Sequence, residues 1–283
     1  MIETKNAFFY IRKTLIYIII TILAIFFLFP YWFMFIAMFS TNSQIISSQV
    51  RLLPELGFTN FENIIILFER GFMRNIYNTV FVSTVRTAFT VFFCCMAGLA
   101  FAKFDFPLRR VLLYTLIFTM MVPMQISAIP NYLIITRLGW LNTYQALIVP
   151  SIASAFGIFM MRQYMSALPN EIIESAKIDG LNEWGLLLRM AIPLTQSGIV
   201  VLSIITFMTT WNDFFWPLIV ITDDRMATVT LRLATLNDTG LHDIVPLGAI
   251  MAGTFISSLP LIIIFIAFRN KMLSGILAGG IKG

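Results

Sequence analysis

Charge is scarce in this sequence. Only 12% of its 283 residues are Asp, Glu, Lys or Arg, about half the roughly 25% of an ordinary soluble domain. Hydrophobic residues make up 59% and the mean hydropathy is +0.87, which excludes a soluble fold, because no soluble core could bury that much apolar surface. Histidine occurs once, as His242 in a polar loop, with no second histidine or cysteine to share a metal ion, so catalytic metal chemistry is excluded. The two cysteines, Cys94 and Cys95, are adjacent inside an apolar run. That is the spacing of neither a disulfide framework nor a metal site, and it points to packing. No Gly-Lys dipeptide occurs anywhere. The phosphate-binding loop of an ATPase is therefore missing, and energy for any transport must come from a partner or an ion gradient. The 19 basic residues outnumber the 14 acidic ones, but they are spread over several loops, which argues against nucleic acid as a partner.

What the sequence has in abundance is long apolar runs. A transmembrane helix needs about 20 mostly apolar residues, and six runs qualify, roughly 14–39, 78–102, 111–133, 144–161, 192–221 and 245–268. The expected fold is an all-α membrane protein of six transmembrane helices. A tail 1–13 precedes a single membrane domain 14–268, and a tail 269–283 follows it. Pro30, Pro123, Pro150 and Pro260 fall inside these runs, where neighbouring helices can satisfy the carbonyls they free. The first run follows Arg12 and Lys13 as a signal peptide would, but its length and the lack of a small-residue cleavage site make it a retained anchor.

Orientation follows from the cations. With the N-terminus inside, Lys5, Arg12, Lys13, Lys103, Arg109, Arg110, Arg162, Lys177, Arg189, Arg269, Lys271 and Lys282 share one side, against Arg51, Arg70, Arg74, Arg137, Arg225 and Arg232 on the other. Both termini are then cytoplasmic. Two external loops, 40–77 and 222–244, are long, and within the first the segment Phe61–Phe72 reads as a short helix along the outer interface.

The cytoplasmic loop 162–191 carries the sharpest local signals. Pro169 suits a first helical turn, Glu171 and Glu174 complement a helix N-terminus, and Gly180 supplies a left-handed stop. Asn182 can cap a second helix running to Pro193. Ile172, Ile173 and Ala176 share a face of the first helix, and Glu174 and Lys177 are spaced for an ion pair. Such a helix suits a groove on a cytoplasmic partner or, more plainly, an amphipathic linker at the membrane surface.

The stretch Glu174-Ser-Ala-Lys-Ile-Asp-Gly180, followed by Ile192-Pro193-Leu194, resembles the EAA loop of bacterial ABC-importer permeases, with Ser175 in place of an alanine and the Ile-Pro-Leu order altered. Thr210-Trp-Asn-Asp-Phe-Phe-Trp-Pro-Leu218 and the ending Ser274-Gly-Ile-Leu-Ala-Gly-Gly-Ile-Lys-Gly283 resemble the maltose-type carbohydrate subfamily. The resemblance covers nearly the whole chain. It implies a type I ABC importer permease fold with a cytoplasmic coupling helix, in the inner membrane of a bacterium. It also implies a heterodimer with a second permease, two ATPase subunits that hold the ATP and magnesium, an extracytoplasmic solute-binding protein or lipoprotein, and a sugar as substrate. This chain would itself bind no cofactor and perform no catalysis. Glu171, Glu174, Ser175, Ala176, Asp179, Gly180 and Pro193 would dock the ATPase, which the tail from Gly275 to Gly283 also touches.

Candidate solute contacts are fewer. Arg86 lies about two turns into the second run, deep enough either to face a translocation path or to snorkel outward. Trp211, Asn212, Asp213 and Trp216 offer the aromatic faces and polar groups that sugar rings favour, or form an aromatic belt. Asn78 and Asn142, at the outer ends of spans, read as helix caps. An ion-coupled carrier would instead call for discontinuous helices, carboxylates at membrane depth and an internal repeat, and a membrane enzyme for a cluster of catalytic groups. Permeases for amino acids, peptides or phosphonates share the EAA loop but usually lack the other two segments. An oligosaccharide, a monosaccharide derivative and a polyol phosphate all fit what remains.

Overall fold

The computed structural model describes residues 7–47, 52–55, 57–236 and 245–280, with side chains between positions 9 and 269 of that set. His242 and residues 281–283 lie outside it, as do the side chains of the C-terminal tail beyond Arg269. Among the described residues there is no β-strand. The helices are α1 (Ala7–Ala37), α2 (Asn42–Ile46), α3 (Glu62–Glu69), α4 (Phe72–Lys103), α5 (Arg109–Thr119), α6 (Met124–Arg137), α7 (Tyr144–Ile148), α8 (Ala155–Ser166), α9 (Asn170–Ile178), α10 (Glu183–Gly185), α11 (Ile192–Leu194), α12 (Gln196–Trp211), α13 (Phe215–Val220), α14 (Val229–Thr235) and α15 (Leu247–Gly280).

Three unbroken helical segments are long and apolar enough to cross a membrane: Phe9–Ala37, Phe72–Lys103 and Leu247–Arg269. Three further crossings exist only if bent pairs are counted as one span each. Arg109–Thr119 and Met124–Arg137 meet at 102°, Tyr144–Ser151 and Ala155–Ser166 at 48°, and Glu183–Leu194 and Gln196–Trp211 at 84°. A proline sits at or just before each break, Pro123, Pro150 and Pro193, where a missing N–H leaves a carbonyl of the preceding turn free. Pro30 and Pro260 lie within continuous helices instead.

The chain divides into two compact units, Met1–Phe72 with Thr235–Leu259, and Met73–Ala234 with Pro260–Gly283. In the first, α1 is predominantly apolar and exposed from Phe9 to Trp32, which suits lipid. Its last turns enter an aromatic cluster in which Phe35 packs at 5.5 Å from Phe39 and 5.3 Å from Phe255, and Phe39 at 5.4 Å from Phe58. The short helix expected within Phe61–Phe72 is α3. It presents Asn63, whose Nδ2 donates toward the carbonyls of Ser40 (2.8 Å), Met38 (3.2 Å) and Ala37 (3.4 Å) where α1 ends. Gly248 leaves room for that amide, since a Cβ there would overlap it. Asn63→Ala takes the side-chain donor from the Ser40 and Met38 carbonyls, while Ala37 O keeps the Ser40 N–H at 3.1 Å, and is expected to cost about 1–3 kcal/mol. A thermal midpoint in detergent several degrees below wild type checks it.

In the second unit, α4 is the central element. Small residues let other helices approach closely, as is usual where lipid removes the hydrophobic drive for helix association. A Cβ on Gly98 would sit 2.8 Å from Met161 Cβ on α8, one on Gly157 would sit 2.6 Å from Cys94 Sγ, and one on Gly198 2.6 Å from the Tyr164 ring. Cys94 and Cys95 are both buried and unbridged, and both belong to an apolar cluster with Leu99, Met161, Met165 and Leu202.

The N-terminal end of α4 carries a polar clamp. Asn75 Nδ2 donates to the carbonyls of Asp224 and Ala227, each at 2.9 Å. Asn78 Nδ2 donates to those of Arg225 (2.9 Å) and Ala227 (3.1 Å), and Thr79 Oγ1 accepts from the Val229 N–H at 2.8 Å. Asn142, held at φ +57°, accepts from the Thr222 (2.7 Å) and Asp223 (2.9 Å) N–H groups. Neither Asn78 nor Asn142 is the helix cap its position suggested. Both tie down segment 222–227, a non-local role that a capping rule does not see. The part of loop 222–244 nearest α13 is thereby bonded along its length and not free.

Candidate functional site

Two regions hold the residues the sequence singled out. The first is a cavity of about 420 Å³ inside the second unit, reached by Arg86 and Thr90 of α4, Ser127 and Asn131 of α6, Ser151 and Ser154 in the break between α7 and α8, Thr206 and Thr209 of α12, and Trp216 of α13. Its volume lies toward the small end of the roughly 300–1,000 Å³ of ligand pockets. The helix breaks shape it. Irregular backbone in a membrane segment is tolerable where it lines a polar cavity, and Ser154, at the start of α8, caps it by accepting from the Gly157 N–H at 3.0 Å.

Arg86 does not snorkel outward. Its guanidinium pairs with Asp213 at 3.8 Å, the two side chains 14% and 18% exposed. This distance is longer than a hydrogen bond, and Arg86 Nε is buried without a partner, as is the hydroxyl of Thr90 one turn further along the same helix. Both residues line the cavity, but these two atoms are themselves closed off from it, and each unmade hydrogen bond costs about 1–3 kcal/mol.

The four residues around the fifth span separate. Trp216 is 2% exposed, donates its Nε1–H to the Ala146 carbonyl at 2.8 Å and gives the cavity an aromatic wall. Asp213 accepts from the Trp216 N–H at 3.3 Å and reaches the cavity only through Arg86. Trp211 is buried and stacks on Phe207 at 5.6 Å, and exposed Asn212 turns back to the Met208 carbonyl at 2.8 Å; neither lines the cavity. The two tryptophans are packed inside their unit and do not form a surface belt. Thr90, Asn131, Thr206 and Thr209 were missed by reading the sequence, because a lone Thr or Asn in an apolar run carries no signal until the helices are assembled.

The second region is the segment 169–194. Pro169 stands at the cap position one residue ahead of α9. The helix ends in a Schellman motif. Leu181 N donates to Ala176 O (3.0 Å) and Gly180 N to Lys177 O (3.1 Å), with Gly180 at φ +81°. Asn182 Oδ1 accepts from the Gly185 N–H at 2.8 Å and opens α10, which runs through a π-helical stretch Leu186–Ala191 into α11 and its exposed Pro193. The expected Glu174–Lys177 pair does not form. Lys177 lies over the Phe104 ring at 5.4 Å instead, a contact able to compete with a solvated ion pair worth well under about 1 kcal/mol.

Ile173 and Ala176 turn inward and join the cluster of Cys95, Leu99 and Met165. Glu171, Glu174, Ser175, Asp179 and Gly180 are exposed, and so is Ile178, at 86%. An isoleucine this bare beside three carboxylates is an apolar tip on an acidic segment. Lys103, which sequence reading placed only as an inner charge, anchors the start of the segment by donating to Leu168 O (2.5 Å) and Asn170 Oδ1 (2.8 Å).

Known proteins share this architecture. The structure of a bacterial ABC transporter involved in the import of the acidic polysaccharide alginate superposes with a TM-score of 0.82, covering 94% of this chain and 98% of that one at 21% identity. The lactose transport system permease protein of Rhizobium radiobacter is 33% identical over 267 residues, 94% of this chain and 95% of the relative. The arabinooligosaccharides transport system permease protein of Bacillus subtilis is 29% identical over 279 residues, 96% of each chain. The sn-glycerol-3-phosphate transport system permease protein of Salmonella typhi is 26% identical over 283 residues, 98% of each. The family model described as binding-protein-dependent transport system inner membrane component matches residues 92–272. Broken helices, which on their own would have suited an ion-coupled carrier, are thus a feature of an ABC permease here, and the chain belongs to the family of inner membrane components of binding-protein-dependent transport systems.

Proposed function

We propose that this chain is one of two permease subunits of an ATP-driven importer for a sugar, receiving its solute from an extracytoplasmic binding protein. The observation that carries the sugar reading is the cavity whose lining mixes serine and threonine hydroxyls and the Asn131 amide with the aromatic faces of Trp216 and Phe156, the mixture that suits polyhydroxylated rings. Relatives named for lactose and arabinooligosaccharide transport point the same way. Counting each bent pair as one span, the chain crosses the inner membrane six times, with both termini in the cytoplasm as the lysine and arginine distribution requires.

In this reading α9 is the coupling helix. Glu171, Glu174, Ser175, Asp179 and Gly180 face the ATPase, Ile178 enters its groove, and Ala176 holds the helix on the permease. Pro193 and the 84° bend near Thr195 would carry movement of α9 into α12 and so to the cavity. ATP and magnesium reside on the two ATPase subunits, and the path residues are Arg86, Asp213 and Trp216, with Trp211 and Asn212 supporting the turn that carries them.

Affinity purification of the tagged chain from membranes, followed by mass spectrometry, tests the assembly. A second permease and an ATPase with a phosphate-binding loop are expected in the eluate, and the binding protein of the same system, screened by calorimetry, is expected to bind a sugar. A chain recovered alone, or a binding protein that takes no sugar, overturns the reading.

A further inference from the structure

We infer that the cavity is a solute site built within this one chain, and that the Arg86–Asp213 pair makes it select neutral sugars over sugar acids and sugar phosphates. This rests on the proposed sugar importer and decides a point that reading leaves open, since the relatives include permeases named for lactose and for sn-glycerol-3-phosphate.

Arg86 and Thr90 line the cavity from one face of α4, and their Nε and Oγ1, buried and unpartnered, gain partners from a solute's hydroxyl and ring oxygens when these side chains turn toward it. Helices α6 and α12 add Asn131 and Thr209 as further hydrogen-bonding groups, and α13 adds Trp216 as an apolar face. Among the described residues Arg86 is the only ionisable one on the cavity lining, and its charge is countered by Asp213, which does not line the cavity but stands 3.8 Å from that guanidinium. A neutral ring therefore enters without disturbing the pair. A carboxylate or phosphate leaves water for a site whose one cation is already shared, and must displace Asp213 to gain a full partner. Asp213 is thus the specificity-determining residue, although it touches no solute.

The test uses the detergent-purified complex of this chain with its partner permease and ATPases. Neutral disaccharides (lactose, maltose, arabinobiose) and acidic sugars (digalacturonate, sn-glycerol 3-phosphate) are titrated while thermal shift is recorded. Asp213→Asn keeps a side-chain oxygen for the Trp216 N–H, so it preserves the local turn while leaving Arg86 uncompensated. Wild type is expected to bind at least one neutral disaccharide more tightly than any acid. Asp213→Asn should move the neutral-to-acid affinity ratio at least tenfold toward the acids, and Thr90→Val should weaken the neutral sugar several-fold without changing that ratio.

An unchanged ratio in Asp213→Asn, or a wild type that prefers an acid, overturns the inference. So does a wild-type complex that binds no probe although its binding protein binds a sugar, and in that case the importer reading stands. A binding protein that takes no sugar is the separate result that removes the importer reading itself.

Discussion

Gly180→Pro is expected to abolish uptake while the chain still inserts and assembles its membrane core. Proline fixes φ near −65°, and Gly180 sits at +81°, so the substituted loop cannot keep its path. The change also deletes the N–H that donates to Lys177 O at 3.1 Å, and with the turn displaced the Leu181 to Ala176 bond that closes α9 goes as well. The damage stays local, because among the described residues nothing beyond the chain neighbours comes within 4 Å of the position a Cβ would take.

Gly180→Ala separates strain from lost bonding. It keeps the N–H and meets no neighbour, so only the left-handed conformation is penalised, by about 1–2 kcal/mol, and uptake is expected to fall partially. Glu174→Lys reverses an exposed charge without touching the cap and is expected to abolish uptake through the ATPase contact alone. Uptake of labelled sugar into proteoliposomes, with ATPase retention followed on the same preparations, checks all three. Full uptake with either Gly180→Pro or Glu174→Lys removes α9 as the coupling element.

The contrast between these residues and those of the cavity shows what the sequence could reveal. Gly180, Asn182 and the ends of α9 were legible because capping is chemistry between residues a few positions apart. The inward turn of Ala176 was not, since a small residue on an amphipathic helix fits a partner's groove and its own core equally well. The choice depends on Leu99, Met165 and Leu187 arriving from elsewhere in the chain. The same holds for Arg86. Its burial could be guessed from its depth in an apolar run, but its partner Asp213 lies on another span, and only their juxtaposition turns two isolated polar residues into a neutral pair. The helix breaks fall between. Pro123, Pro150 and Pro193 were visible, yet Pro30 and Pro260 look no different in sequence and leave their helices continuous.

The same non-local logic makes Gly98 a position in the second unit that tolerates no side chain. Gly98→Val is expected to destabilise by about 3 kcal/mol or more, the upper end of overpacking costs, because its Cβ would meet backbone. The Arg162 nitrogen and the Met161 carbonyl carbon each lie 3.0 Å from that point and Met161 Cβ lies 2.8 Å away. Those atoms move only if α8 moves as a whole, and no rotamer relieves them. Gly157 is the instructive opposite. A Cβ there comes within 2.6 Å of Cys94 Sγ, while its other near contacts, Leu202 Cδ1 at 3.2 Å and Ser154 Cβ at 3.3 Å, are side-chain atoms too. Gly157→Ala is therefore expected to cost about 1–2 kcal/mol by itself, and Cys94→Ala to recover most of that in the double variant, a coupling a double-mutant cycle measures directly. Detergent-solubilised protein scanned by thermal denaturation reads both effects. If Cys94→Ala rescued Gly98→Val as well, or failed to rescue Gly157→Ala, the close approach of α8 to α4 would not be what sets the stability of this core.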